Sequence, residues 1–382
     1  MIKNKINDGK KIIRVIDTSF SSFILEKIFE GYDNFDEIVE IKKDLGETRL
    51  KAKNILKISR KKIIFKNKFV ITSSFAFSWT RNRFLNILKF RKLQKNIFKK
   101  ICFKKNHIYI GCKTSTIMNV LPKSNRILID HGFSDYNHKA NKILISKKII
   151  DIMKERIANL IGYPYMGLNE DMNGYTVCKI PKFSNNFIDM QNLPINKIVK
   201  LFFSNIKKKY PRINTIFLLT KNWEANHYRN SRTKIEYDSI NLELIKKYVS
   251  KGQKFFIKFS EFTILSNQTN SSFIKKARLL GYHAVDVDGH LKSCFKGMIP
   301  AELLISKLKL KRVISRHSST LHNICHNTSI DCIMDINPEL QVMNNCPKHY
   351  KIKLLREFND RYSFNKLTGR KVNIRPIHKL NF

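Results

Sequence analysis

The chain has 382 residues, 42% hydrophobic and 11% aromatic, which supplies enough apolar side chain for buried cores and too much for a disordered class. Lys and Arg outnumber Asp and Glu by 73 to 30, a formal net charge of +43 that suits a polyanion, an anionic membrane face or an acidic substrate. Seven scattered cysteines contain no C-x-x-C pair, so neither a zinc ribbon nor a redox dithiol is indicated, and no apolar run approaches the ~20 residues of a membrane-spanning helix.

Lys3, Lys5, Asp8, Lys10 and Lys11 precede only a short apolar stretch, which predicts no signal peptide and a cytoplasmic location. Ile12–Ile16, Phe69–Thr72, His107–Cys112 and Arg126–Asp130 then read as buried strands, rich in β-branched residues. Ser21–Phe29, Asn82–Lys99 and Ser115–Val120 read as the helices between them. The basic stretch Arg83–Lys105 interleaves Phe84, Leu85, Ile87, Leu88 and Phe90 with cations, a pattern that fits packing on a domain core and also a peripheral contact with an anionic inner-membrane surface. Periodicity weakens over the turn-rich Lys182–Pro194, where the spacing predicts a linker. The same alternation restarts beyond it. Thr215–Thr220, Lys254–Lys258, Arg312–Ser315 and Ile330–Asp335 read as strands, Ser239–Val249 and Ser272–Leu280 as helices, and Tyr350–Tyr362 as a helix near the end. Alternating strands and helices predict an α/β fold with largely parallel sheets. The expected division is an N-terminal domain over 1–190, a second over 191–350, and a helix and tail over 351–382 that return to the first.

The segment Met298–Cys325 carries the densest chemistry. Pro300 suits the first turn of a helix, where its missing N–H is not needed. Ser318 and Ser319 follow the strand Arg312–Ser315 and suit the N-cap of the next helix, a place where hydroxyls and amides can meet an anion. Glu302, in the first turn of the preceding helix, can accept hydrogen bonds from a ribose diol in the same crevice. Together these residues sketch a phosphate-and-ribose site.

The Pro-x-Glu followed by Ser-Ser resembles the donor end of bacterial GT-B sialyltransferases, closest to the capsule polysialyltransferase and lipooligosaccharide sialyltransferase families. The resemblance implies two Rossmann-like domains facing a cleft. It also implies a CMP-linked sialic acid or related nonulosonate as donor, a glycan or glycolipid acceptor, and an inverting, metal-independent transfer without a resident cofactor. Carried over, Glu302 holds the ribose hydroxyls, and Ser318 and Ser319 the phosphate. The family's acid-acid-Gly motif falls on Asp130-His131-Gly132, with Asp130 as catalytic base and His131 standing where the second acid is expected. Its Lys-x-His-Pro motif falls on Lys258-Phe259-Ser260-Glu261, which lacks both the His and the Pro. Ser260 then offers one neutral hydrogen bond at the phosphate, and Lys258, Arg316 and His317 are the cations placed to supply what the missing His would.

His131-Gly132 is also similar to the His-Gly pair of teichoic-acid glycerophosphotransferases, so another cytidine-nucleotide transferase of cell-surface polymer synthesis is an alternative. A basic nucleic-acid-binding protein is a second class; no zinc finger, RNP-type motif or segregated basic arm supports it. Asp286-Val-Asp288 has the form of a metal-binding Asp-x-Asp, and its spacing is expected by chance. His322 and His326 stand at i, i+4 with no third ligand at a readable distance, which favours packing or solvation.

Overall fold

The computed structural model describes residues 10–32, 35–42, 68–73, 83–112, 115–129, 174–177, 186–189, 192–219, 237–259, 270–291, 299–342, 348–368, 372–377 and 379–380. The chain divides into two compact units, Met1–Asn196 and Lys197–Phe382.

The first unit alternates strands and helices. Strand β1 (Lys11–Ile16) leads through helix α1 (Ser19–Ile28) to β2 (Asp36–Lys42). Strand β3 (Lys68–Ser73) leads through α2 (Arg83–Lys100) to β4 (His107–Cys112), then α3 (Thr116–Val120) and β5 (Arg126–Ile129). Two short strands, β6 (Tyr175–Thr176) and β7 (Asn186–Phe187), complete a sheet of order β3-β2-β1-β4-β5-β6-β7. Every described pairing in it is parallel. A parallel sheet is covered on both faces, so its central strands are buried: β4 is buried from Ile108 to Cys112. Ile13, Val15, Ile38, Tyr109, Ile117, Met118 and Leu128 form the core, and Phe90 and Ile97 of α2 pack into it. Phe90 and Ile97 are therefore spent on their own domain. Arg91, Lys92, Lys95, Lys99 and Lys100 remain outside with the half-exposed Leu88.

Charged side chains are buried beside that core. Arg14, in the middle of β1, is fully buried, with its guanidinium against the rings of both Phe29 and Phe35. Its Nη2 meets Glu26 Oε1 at 2.8 Å and Glu37 Oε1 at 3.9 Å. Desolvating an ion is costly, and only close pairing offsets that cost.

The second unit opens with α4 (Lys197–Lys209), followed by β8 (Thr215–Leu219), α5 (Tyr237–Tyr248), β9 (Lys254–Phe259), α6 (Asn270–Leu279) and β10 (His283–Asp286). A single 3₁₀ turn (Asp288–His290) and α7 (Ala301–Lys307) precede β11 (Arg312–Ser315). Helices α8 (Thr320–Ile324), α9 (Asn337–Val342) and α10 (Lys348–Thr368), with strands β12 (Asp331–Asp335) and β13 (Val372–Arg375), finish it. All its described pairings are parallel, in the order β10-β9-β8-β11-β12-β13. Phe217, Leu244, Phe255, Ile257, Phe259, Phe273 and Ile314 are the centre of its core. The tail segment set apart at 351–382 supplies most of α10 and the strand β13, which pairs with β12. Among the described residues no helix is long and apolar enough to cross a membrane.

In both units the first strand is flanked by the second on one side and the fourth on the other, so strand order reverses beside it. Open parallel sheets of this doubly wound kind leave a crevice at that reversal, at the carboxyl ends of the strands. It falls between β1 and β4 in the first unit and between β8 and β11 in the second.

Removing the closest partner of the buried Arg14 tests how the first core is held. Glu26→Ala should lower the unfolding free energy by about 3 kcal/mol, the usual cost of stranding a buried charge. Urea denaturation followed by circular dichroism measures it. A loss below 1 kcal/mol would mean that Glu37 alone suffices for Arg14.

Candidate functional site

At the reversal in the second unit, Lys258 of β9 and Ser315 of β11 both stand in register with Leu218 of β8. Residues in register on neighbouring strands share a face, and two strand spacings separate these two by roughly 10 Å. The Ser315 hydroxyl ties the chain together here. It donates to Leu218 O at 3.0 Å and accepts from Ser318 N at 3.1 Å, so the turn leaving β11 is pinned to the adjacent strand.

Ser318 and Ser319 follow in that turn and behave differently. Ser318 Oγ accepts from Thr320 N at 3.3 Å, a short local bond of the type that starts a helix. Ser319 occupies the N-cap position of α8 with helical backbone and makes no side-chain cap bond. Its hydroxyl remains available to a ligand.

Glu302 reaches the same end of the sheet by another route. Helix α7 carries the chain from β10 to β11, so its first turn lies beside the carboxyl ends of the strands. Glu302 there is only 4% exposed, and its Oε1 accepts from Asn323 Nδ2 of α8 at 2.9 Å. Asn323 thus couples the carboxylate to the helix that begins just after the serine pair. Nothing local in the sequence announces this bond, because 21 residues separate the partners.

The cations near this site are mostly committed. Lys258 Nζ is buried and lies 3.0 and 3.3 Å from the two carboxylate oxygens of Asp288, itself 1% exposed. The Asp-x-Asp spacing is used in the same turn, where Asp286 Oδ1 accepts from Asp288 N at 3.0 Å. Arg316, at 2% exposure, places Nη1 2.9 Å from Glu339 Oε2 of α9 and its guanidinium 5.1 Å from the centre of the Tyr237 ring. His317 differs. Its side chain is 10% exposed, Nδ1 is 3.8 Å from Glu339 Oε2, and neither ring nitrogen has a hydrogen-bond partner among the described residues. A buried polar group left so costs about 1–3 kcal/mol.

His322 and His326 do not form a facing pair. His322 is fully buried with its ring edge-on to Phe364, 5.4 Å between centroids. His326 lies beyond the end of α8, with Nδ1 3.0 Å from Asn323 O. Asp130, His131 and Ser260 lie outside the described residues, directly after β5, after Asp130, and directly after β9 respectively.

The corresponding place in the first unit is filled from within. Glu40 of β2, 3% exposed, accepts from Ser115 Oγ at 2.6 Å, Thr116 N at 3.1 Å and Ile117 N at 3.4 Å, and so occupies the start of α3 after β4. At the start of α1, after β1, Thr18 and Ser21 satisfy each other's backbone N–H groups in a capping box. The donors that an anion would want are already used. Among the described residues, only the second unit's strand reversal presents an uncapped serine and an unpartnered histidine.

A double substitution separates a structural from a ligand-binding role for Lys258. Lys258→Met alone strands Asp288 and should cost about 3 kcal/mol, whereas Lys258→Met with Asp288→Leu should recover most of it, because a buried pair is often replaceable by apolar side chains of similar size. Thermal melting reads both. Failure of the second change to restore stability would show that the lysine has partners beyond Asp288. No known family model matches this chain, and no curated protein matches it.

Proposed function

We propose that the chain is a GT-B-type glycosyltransferase that moves sialic acid or a related nonulosonate from its CMP ester to a glycan acceptor of the cell surface. The observation that supports it most is the convergence of Glu302 with the Ser318–Ser319 turn at the strand reversal of the second sheet, linked through Asn323. In this reading Glu302 accepts from the ribose hydroxyls of CMP with its remaining oxygen, and Asn323 holds the carboxylate in place. Ser319 donates to the phosphate, and Ser318, pinned by Ser315, shapes the turn. The acceptor hydroxyl attacks the anomeric carbon as the carbon–oxygen bond to phosphate breaks. CMP departs with the bonding electrons, and Asp130 takes the acceptor's proton. Donors fixed before reaction stabilise the charge that develops on the departing oxygen. Lys258 has no direct part, since Asp288 balances its charge.

Nucleotide choice tests the reading. In a thermal-shift series CMP at millimolar concentration should stabilise the protein more than CDP, UDP or GDP, and no preference for CMP would remove the basis of the proposal. Glu302→Gln should weaken CMP by about tenfold or more and 2′,3′-dideoxy-CMP far less, because only the diol makes charge-assisted bonds to the carboxylate.

The base assignment is read by turnover. Asp130→Asn should leave CMP affinity within about twofold while lowering the transfer rate by roughly 10²–10⁴-fold, the range of a general base. Unchanged transfer by the variant would place the base elsewhere.

A further inference from the structure

Among the described residues three basic side chains stand at the strand reversal of the second sheet, directly at or after the ends of β9 and β11, and two of them are already balanced. Lys258 belongs to Asp288, and Arg316 lies against Glu339 and the Tyr237 ring. His317 is nine-tenths buried, with no hydrogen bond at either nitrogen among the described residues. It adjoins Ser318 and the uncapped Ser319 in the turn that Ser315 fixes to β8. The 3.8 Å from its Nδ1 to Glu339 Oε2 is beyond hydrogen-bond range, and a small side-chain adjustment closes it. An imidazolium seated there directs Nδ1–H at the carboxylate and has one donor left over, Nε2–H. An anion is the ligand that satisfies such a donor, and the strand reversal is where an anion enters a sheet of this topology.

We propose that His317 is a phosphate-binding side chain, donating from Nε2 to an oxygen of the nucleotide's phosphate while Glu339 positions the ring through Nδ1. This rests on the nucleotide reading above and assigns a residue within it: the charge facing the phosphate comes from the histidine rather than from Lys258 or Arg316. The role differs from that of a packing residue in one measurable respect. A phosphate donor distinguishes CMP from cytidine, and a packing residue does not.

The experiment is calorimetric titration of the full-length wild type, His317→Ala and His317→Gln with CMP and with cytidine, beside a thermal melt of each protein. His317→Ala should lose about tenfold to a hundredfold in CMP affinity, the range for a hydrogen bond to a charged group, with cytidine changed by less than about twofold. His317→Gln keeps an N–H near the same place and should recover part of the CMP affinity. Equal losses for CMP and cytidine, or CMP affinity indifferent to His317→Ala, would overturn the assignment while leaving a CMP site in place. Wild-type protein that binds neither ligand would instead overturn the nucleotide reading, and this assignment with it.

Discussion

Parallel pairing is the constraint from which the rest of the structure follows. Every described ladder in both sheets is parallel, so each strand must be reached by a crossover, and the helices must lie on the sheet faces. Because the fourth strand returns to the opposite side of the first, the crossovers on either side of that point lie on different faces. A doubly wound sheet leaves a crevice between them at the carboxyl ends. Helix α7 must then begin, and α8 must then follow β11, at that same end. Glu302 and the Ser318–Ser319 turn become neighbours because of the winding, not because of any attraction between them.

The two units treat this shared feature in opposite ways, and the difference is one of charge. In the first, Glu40 turns a carboxylate onto the start of α3, and the N–H groups there already have an anion. A second anion would be repelled by the first. In the second unit the buried carboxylates point at cations instead: Asp288 at Lys258, Glu339 at Arg316. These pairs leave the loop after β11 close to neutral, with hydroxyl and imidazole donors uncommitted. The asymmetry gives the second unit the better claim to the proposed phosphate site, although both sheets share one topology.

The same habit explains the surface. Among the described residues eight carboxylates are buried (Glu26, Asp36, Glu37, Glu40, Asp288, Glu302, Asp335 and Glu339) against four basic side chains, Arg14, Lys258, Arg316 and Arg361. The buried acids are heavily used: Asp335 accepts from Lys247 Nζ and from the Tyr248 hydroxyl, both at 2.6 Å. Burial first, and that bond second, raise the Tyr248 phenol above its ordinary range. Acids drawn inward leave the outer faces more cationic than composition alone would make them. The outward side of α2, with five cations and no acid on the helix, is the clearest case. Abundant lysine is thus amplified into a surface property by where the few acids are needed.

Strands built from β-branched runs were legible, since a buried parallel strand leaves few other sequences possible; His107–Cys112 and Arg312–Ser315 have the expected bounds. β2 was not. Its Asp-Glu-Ile-Val-Glu-Ile-Lys looks solvated, and it is buried because Asp36, Glu37 and Glu40 each find a partner on another element. The short β10 and the edge strand β13 carried too little apolar pattern to stand out. At the site, Glu302 and the serines could be singled out because a Pro, a strand end and a hydroxyl pair are local marks. Asn323, Ser315 and Glu339 could not, because each acts through a bond or ion pair across the fold. The fate of Lys258 shows the limit most plainly. Its sequence neighbours place it at a strand end beside the proposed phosphate site, and only Asp288, in the turn that follows the adjacent strand β10, reveals that its charge is already balanced.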